Sequence, residues 1–327
     1  VSLPMPLLSL DGLHLRAGPR TLVHPLSLTI ESGEQVALIG ASGAGKTSLL
    51  HGLALALRPG AGALRFVGQD AWALSHRDRH RLRRELMLAP QHPPLPPRQR
   101  VVTAVLAGRL PGAAFGQSLR MLFSPSADQA RLAFDALDQL ELGGRLWSRV
   151  DQLSGGERQR VALARLLVSK ARLWLVDEPL SALDPQRAQR ALGVLRDAAR
   201  AQGRTLVCSL HQVELACALF PRVIALRDGH VVYDGPPRGL DEARIAALYA
   251  GQSDEGSPPG EAGGDGLGHG RGGLHGHGQG QGPGDGNSDG TGIGIGTGTG
   301  TGTGTGIDGE PAAGVDGAPT PPQAMCR

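Results

Sequence analysis

The stretch Gly40-Ala41-Ser42-Gly43-Ala44-Gly45-Lys46-Thr47 reads G-x-x-x-x-G-K-T. Glycines at these positions free the backbone to turn its N–H groups inward as a nest for an anion. A lysine at the end of such a loop reaches β- and γ-phosphate oxygens, and a following hydroxyl binds Mg²⁺. The chain has 31 arginines and two lysines, Lys46 and Lys170, so arginine is its default cation. The loop nevertheless holds lysine, whose compact ammonium fits between phosphates where a planar guanidinium does not substitute. Two carboxylates, Asp177 and Glu178, close the apolar run 172–176. At that place Asp177 would position Mg²⁺ through its water shell, and Glu178 would polarise an attacking water. A plain solvated loop start is the competing reading of the pair. Ser154 and Glu157 have the S-x-x-E spacing of a helix cap. Gly155 and Gly156 between them leave bare N–H groups at a helix start, a second anion site. One chain cannot easily aim both anion sites at one phosphate, whereas two chains facing head to tail can.

These groups need elements to carry them. Residues 36–39 form a short apolar run, as expected for a strand buried on both faces, and a helical stretch 46–57 stops at Arg58-Pro59-Gly60. Residues 172–176 and 205–210 read as two more buried strands, and 129–142 and 158–168 as helices. Asp228-Gly229 between 223–226 and 231–233 signals a hairpin, and prolines at 93–97 impose a loop. This alternation of strands and helices makes the fold class α/β.

Composition divides the 327 residues unevenly. Of 50 glycines, 28 lie from Gly251 onward, and the last 77 residues carry nine acidic and two basic side chains. That segment has a net charge of −7, so the first 250 residues carry +10 against +3 for the whole chain. The expectation is a globular domain over 1–250 and a disordered, Gly-rich tail over 251–327. His269, His275 and His277 in the tail read as histidines of a solvated tract rather than a metal site. No run approaches the roughly 18 apolar residues of a membrane helix, and the start has no signal-peptide pattern. Cys208, Cys217 and Cys326 form no C-x-x-C pair, which fits a reducing compartment and argues against a zinc site. The basic run 77–84 reads as a solvated helix face, and with 3% aromatics no nucleic-acid partner is expected.

Taken with Leu153-Ser154-Gly155-Gly156-Glu157, Leu175-Val176-Asp177-Glu178-Pro179, Ser181-Ala182-Leu183-Asp184 and His211, the phosphate loop makes the chain resemble the ATPase subunits of ABC transporters over roughly 7–250. The resemblance implies a P-loop NTPase (RecA-like) core, an antiparallel β subdomain and an inserted α-helical subdomain at about 88–168. It implies ATP and Mg²⁺ as ligands, with residues 40–47 and Ser48 on the phosphates and Thr47, Gln91 and Asp177 around Mg²⁺. Glu178 would be the catalytic base, and His211 would contact the γ-phosphate. Gln91 would also couple to the membrane subunit. A homodimer would place Ser154, Gly155, Gly156 and Asp184 of one copy at the nucleotide of the other. Transmembrane permease subunits, and indirectly a solute-binding protein, are the further partners, at the cytoplasmic face of the cell membrane. The adenine-stacking aromatic of the family has no counterpart: Ala17 occupies its place, with His14 or Arg16 as substitutes. Three segments, 106–127, 209–213 and 223–235, resemble phosphonate importer ATPases in particular. An importer of another solute, such as phosphate, phosphite or a metal chelate, is the alternative, and a soluble non-transport ABC ATPase the more distant one.

Overall fold

The computed structural model describes residues 5–180 and 182–250. Two sheets share the work. The first is antiparallel, with strands in the order β2 (Arg20–Ile30), β1 (Leu8–Ala17), β4 (Ala61–Phe66) and β5 (Gln69–Asp70). The second runs β10 (His230–Gly235), β9 (Arg222–Arg227), β3 (Gln35–Ile39), β8 (Thr205–Ser209), β7 (Leu173–Asp177) and β6 (Leu86–Ala89). All its pairs are parallel except β9–β10.

Strand alternation assigns each side chain to one of two cores. Val36, Leu38, Leu173, Leu175 and Val207 face the antiparallel sheet and helix α1 (Lys46–Leu53). Ala37, Ile39, Trp174, Val176 and Cys208 face the opposite way. The helices α3 (Val101–Leu106), α5 (Ala127–Asp138), α6 (Gly155–Leu167), α7 (Pro185–Ala201) and α8 (Val213–Leu219) contribute to that second core. Helices α2 (His76–Leu82), α4 (Phe115–Phe123) and α9 (Glu242–Tyr249) complete the described part. Because β3, β7 and β8 are buried from both sides, their sequences read as apolar runs. Among the described residues no helix is long and apolar enough to cross a membrane.

Several element ends differ from the sequence reading, each for a tertiary reason. Helix α1 stops at Leu53 rather than 57 because the buried Leu55 takes a left-handed φ of 57°, with its carbonyl held by Arg83 at 2.7 Å. Helix α5 starts at a capping box on Ser126 and ends at Asp138, and Glu141 turns the chain with φ 57°. Helix α6 starts earlier than 158, at the Ser154 cap. The basic run 77–84 is not simply a solvated face. Arg79 lies 4.7 Å from the Trp72 ring centre and donates to the carbonyls of Ala71, Trp72 and Leu74. The Asp228-Gly229 hairpin forms with φ of 50° and 77°, the pair of positive values that matches strand twist. The 251–327 tail with its three histidines, Cys326 and Ser181 lie outside the described residues.

Trp174 is fully buried three residues before Asp177, and its indole N–H finds no hydrogen-bond partner among the described residues. Trp174→Ala is therefore expected to cost about 3–5 kcal/mol in urea unfolding. Trp174→Phe removes the unpaired donor along with part of the ring, so it should cost only on the order of 1 kcal/mol. Equal losses in the two variants would contradict this packing.

Candidate functional site

The loop between β3 and α1 can be built only with glycine at its two ends. A Cβ on Gly40 would lie 2.2 Å from the Leu226 carbonyl oxygen. Gly45 has φ 102°, and a Cβ there would lie 2.8 Å from the Leu22 oxygen. Lys46 follows as the first residue of α1 and is 4% exposed. Its ammonium donates to the carbonyls of Gly40 at 2.9 Å and Ala41 at 3.1 Å, and lies 3.6 Å from Glu178 Oε1. Burial lowers the Lys46 pKa, and the Glu178 and Asp177 carboxylates oppose that shift.

Asp177 and Glu178 leave the end of β7 beside this ammonium. Asp177 is 2% exposed and accepts from Thr47 Oγ1 at 3.2 Å and from Ser209 Oγ at 2.7 Å. Ser209 Oγ in turn accepts the Glu178 backbone N–H at 2.9 Å. The β7–β8 register sets Asp177 directly against Ser209, so one buried hydroxyl fixes both acidic residues. Glu178 has φ 43°, a conformation costly for a non-glycine residue and often found at functional sites. Its carboxylate lies 2.6 Å from His211 Nε2 and accepts from Gln91 Nε2 at 2.8 Å.

A cavity of about 360 Å³ opens against these groups, lined by Arg20, Thr21, Leu22, Gly43, Gly45, Lys46, Thr47, Ser48, Glu178, Asp228 and Gly229. An adjoining cavity of about 330 Å³ takes in Ala41, Ser42 and Ala44. The cavity thus has a desolvated ammonium and an acid pair at one end. The oxygen donors of Thr47 and Asp177 are of the hard kind that Mg²⁺ takes alongside phosphate oxygens. Gln91 donates to Glu178, which places its amide on the would-be base.

The remaining expected residues lie elsewhere. Ser154 caps α6 reciprocally with Glu157, whose carboxyl is held low first by the Ser154 backbone N–H. A Cβ on Gly156 would come within 2.7 Å of the Ala182 carbonyl oxygen, and Ala182 N donates to Gln159 Oε1 at 3.1 Å. Asp184 caps α7 by accepting from Arg187 N at 3.0 Å, a bond that lowers its pKa. None of Ser154, Gly155, Gly156 and Asp184 lines the loop cavity of its own chain. Ala17 is exposed and does not line it either. The wall there is formed by Arg20, Thr21 and Leu22, which the sequence reading missed, because the tight turn at Gly18-Pro19 puts Arg20 opposite Ala17. Ser209 was also missed as a site residue. Its signal is a lone hydroxyl at the end of an apolar strand, where a buried polar atom must find a partner.

Residues 23–181 match the family described as "ABC transporter". The chain is 54% identical over 248 residues to "Phosphonates import ATP-binding protein PhnC 2" of Albidiferax ferrireducens, covering 74% of this chain and 89% of that protein. It is 56% identical over 225 residues to "Phosphonates import ATP-binding protein PhnC" of a Polaromonas species, covering 69% of this chain and 80% of that protein. Among solved structures it resembles a dimeric, post-hydrolysis ATP-binding cassette bound to ADP and Pi. That match has TM-score 0.62 and 25% identity, and covers 71% of this chain and all of that one.

Ser209→Ala deletes the hydroxyl that fixes Asp177 and the Glu178 N–H. Leaving the Glu178 N–H unpaired and Asp177 with Thr47 as its remaining donor is expected to cost about 1–3 kcal/mol of stability in urea unfolding. Ser209→Thr keeps the hydroxyl and should recover most of that loss. A Ser209→Ala protein as stable as wild type would show that the hydroxyl does not carry the acid pair.

Proposed function

Starting from the fact that this chain belongs to the ABC transporter family as one of its ATP-binding proteins, we propose that it is the ATP-hydrolysing subunit that drives phosphonate import through a separate permease. The observation that supports the chemistry best is the Glu178 carboxylate, held by Gln91 and His211 beside the phosphate-loop cavity. In this reading Lys46 leaves the carbonyls of Gly40 and Ala41 for the β- and γ-phosphates. Glu178 takes the proton of the attacking water, and its left-handed backbone, fixed by Ser209, keeps the carboxylate at the cavity edge. His211 turns from Glu178 to the γ-phosphate. Thr47, Gln91 and Asp177 are the residues that would hold Mg²⁺, which neutralises phosphate charge when bound.

The same geometry supports a second copy of the chain as a partner. Ser154, Gly155, Gly156 and Asp184 do not reach the cavity of their own chain, so in this reading they serve a second copy's nucleotide. Closing of the two copies on ATP, and opening after hydrolysis, moves a permease through Gln91. That permease receives its solute from a binding protein outside the membrane, and this chain works at the cytoplasmic face. Phosphonate as the solute rests on the likeness to the named importer proteins.

Deleting the gene in its source organism, with any redundant importer also removed, tests the proposal. Growth and uptake with a phosphonate as sole phosphorus source should be lost and restored by the wild-type gene, with growth on phosphate unaffected. Undiminished phosphonate uptake in the deletion strain would overturn the solute assignment.

A further inference from the structure

The cavity against the phosphate loop extends beyond the groups that bind phosphate. Its far wall is the start of β2, where Arg20, Thr21 and Leu22 face the Asp228-Gly229 turn. None of its lining residues is aromatic. This wall is fixed in place: a Cβ on Gly45 or on Gly229 would come within 2.8 or 3.0 Å of the same Leu22 oxygen. His24 N also donates to the Gly229 carbonyl at 2.8 Å. The turn before β2 pairs Ala17 with Arg20, so the position of Arg20 at the rim follows from the strand register.

The two basic side chains before this turn are already engaged. Arg16 donates to the Pro19 carbonyl at 3.3 Å, and the His14 ring pairs with the Thr21 hydroxyl at 3.3 Å. Asp228, the acid on the opposite side of the cavity, lies 3.6 Å from Arg227. The Arg20 side chain is exposed and makes no hydrogen bond or ion pair with any described residue. It therefore offers the cavity an uncommitted planar cation. The phosphate end is already served by the loop and Lys46. A triphosphate anchored there leaves the uncharged end of a nucleotide to the wall that holds Arg20 and the apolar Leu22.

We infer that Arg20 is the platform for the nucleobase, its guanidinium plane stacking on the base in a cavity without an aromatic ring. This rests on the nucleotide reading proposed above and adds to it how the base is recognised. A guanidinium stacks on any π face, so it grips a base by area and polarisability rather than by reading its edges. ATP and GTP should then bind with similar affinity, and CTP and UTP, with smaller rings, more weakly.

The test is calorimetric titration of the full chain and of Arg20→Ala, Arg20→Lys and Arg20→Trp, each with Mg-ATP and with Mg-tripolyphosphate, which has no base. Arg20→Ala should weaken ATP binding about 3–10-fold, the scale of a partly exposed cation–π contact. Arg20→Trp should restore it and Arg20→Lys should not, while tripolyphosphate binds all four proteins alike. That last arm also shows that the variants are folded. Loss of tripolyphosphate binding equal to that of ATP, with rescue by lysine, would overturn the inference and make Arg20 a phosphate ligand. Unchanged ATP affinity in Arg20→Ala would overturn it as well, leaving the ATPase reading intact. A wild-type chain that binds neither ligand would overturn both.

Discussion

The buried carboxylate of Asp177 and the largely buried one of Glu178 lie next to the ammonium of Lys46. Taking such charges out of water costs several kcal/mol per ion unless partners replace the lost solvent. The fold supplies those partners from separate parts of the chain. Thr47 comes from α1, Ser209 from β8, Gln91 from beyond β6 and His211 from beyond β8. Each bond compensates a charge and also fixes a segment, so electrostatic compensation and tertiary structure are one requirement here. The count of charges also bears on function. With His211 counted as neutral, one ammonium against two carboxylates leaves these groups formally at −1. A triphosphate entering such a site would need a cation of its own, in line with the Mg²⁺ proposed at Thr47 and Asp177.

A second constraint ties the two sheets together at the same place. Backbone atoms of β2, the phosphate loop and the Asp228-Gly229 turn approach so closely that a side chain at residue 45 would clash with the Leu22 oxygen and one at residue 229 would crowd it. The antiparallel sheet is therefore a wall of the cavity, and the core between the sheets, built from residues such as Leu38, Leu50 and Leu175, holds that wall in position. The other core, under α3, α5, α6 and α7, supports β7 from the opposite face through Trp174 and Val176. The cavity lining and the core packing thus meet along β3 and β7, the two strands that lead into the loop and the acid pair.

Much of this was legible in the residues. The phosphate loop, the Asp-Glu pair after an apolar strand, the Ser154–Glu157 cap and the Asp228-Gly229 hairpin each follow from local chemistry at fixed spacing. What was not legible depends on contacts between distant segments. Nothing near Leu55 or Glu141 announces a left-handed backbone; those turns are set by packing and end their helices early. Arg79 and Arg83 look like solvated charges until Trp72 and the Leu55 carbonyl are brought beside them. Ser209 becomes a site residue only through the register of β8 on β7. Spacing before Lys46 singles out Ala17, but sequence distance cannot show which side of a two-residue turn faces the cavity, where Arg20, Thr21 and Leu22 lie.

In the proposed mechanism Glu178 acts on nucleotide held between two copies of this chain, one giving the phosphate loop and the other Ser154, Gly155 and Gly156. The most direct measurement is light scattering of Glu178→Gln with and without Mg-ATP, alongside its hydrolysis rate. Replacing the carboxylate by an amide keeps the shape and removes the base. A stable dimer is expected that forms only with ATP and turns over at a small fraction of the wild-type rate. A Glu178→Gln chain that stays monomeric with saturating ATP, or hydrolyses it as fast as wild type, would contradict it.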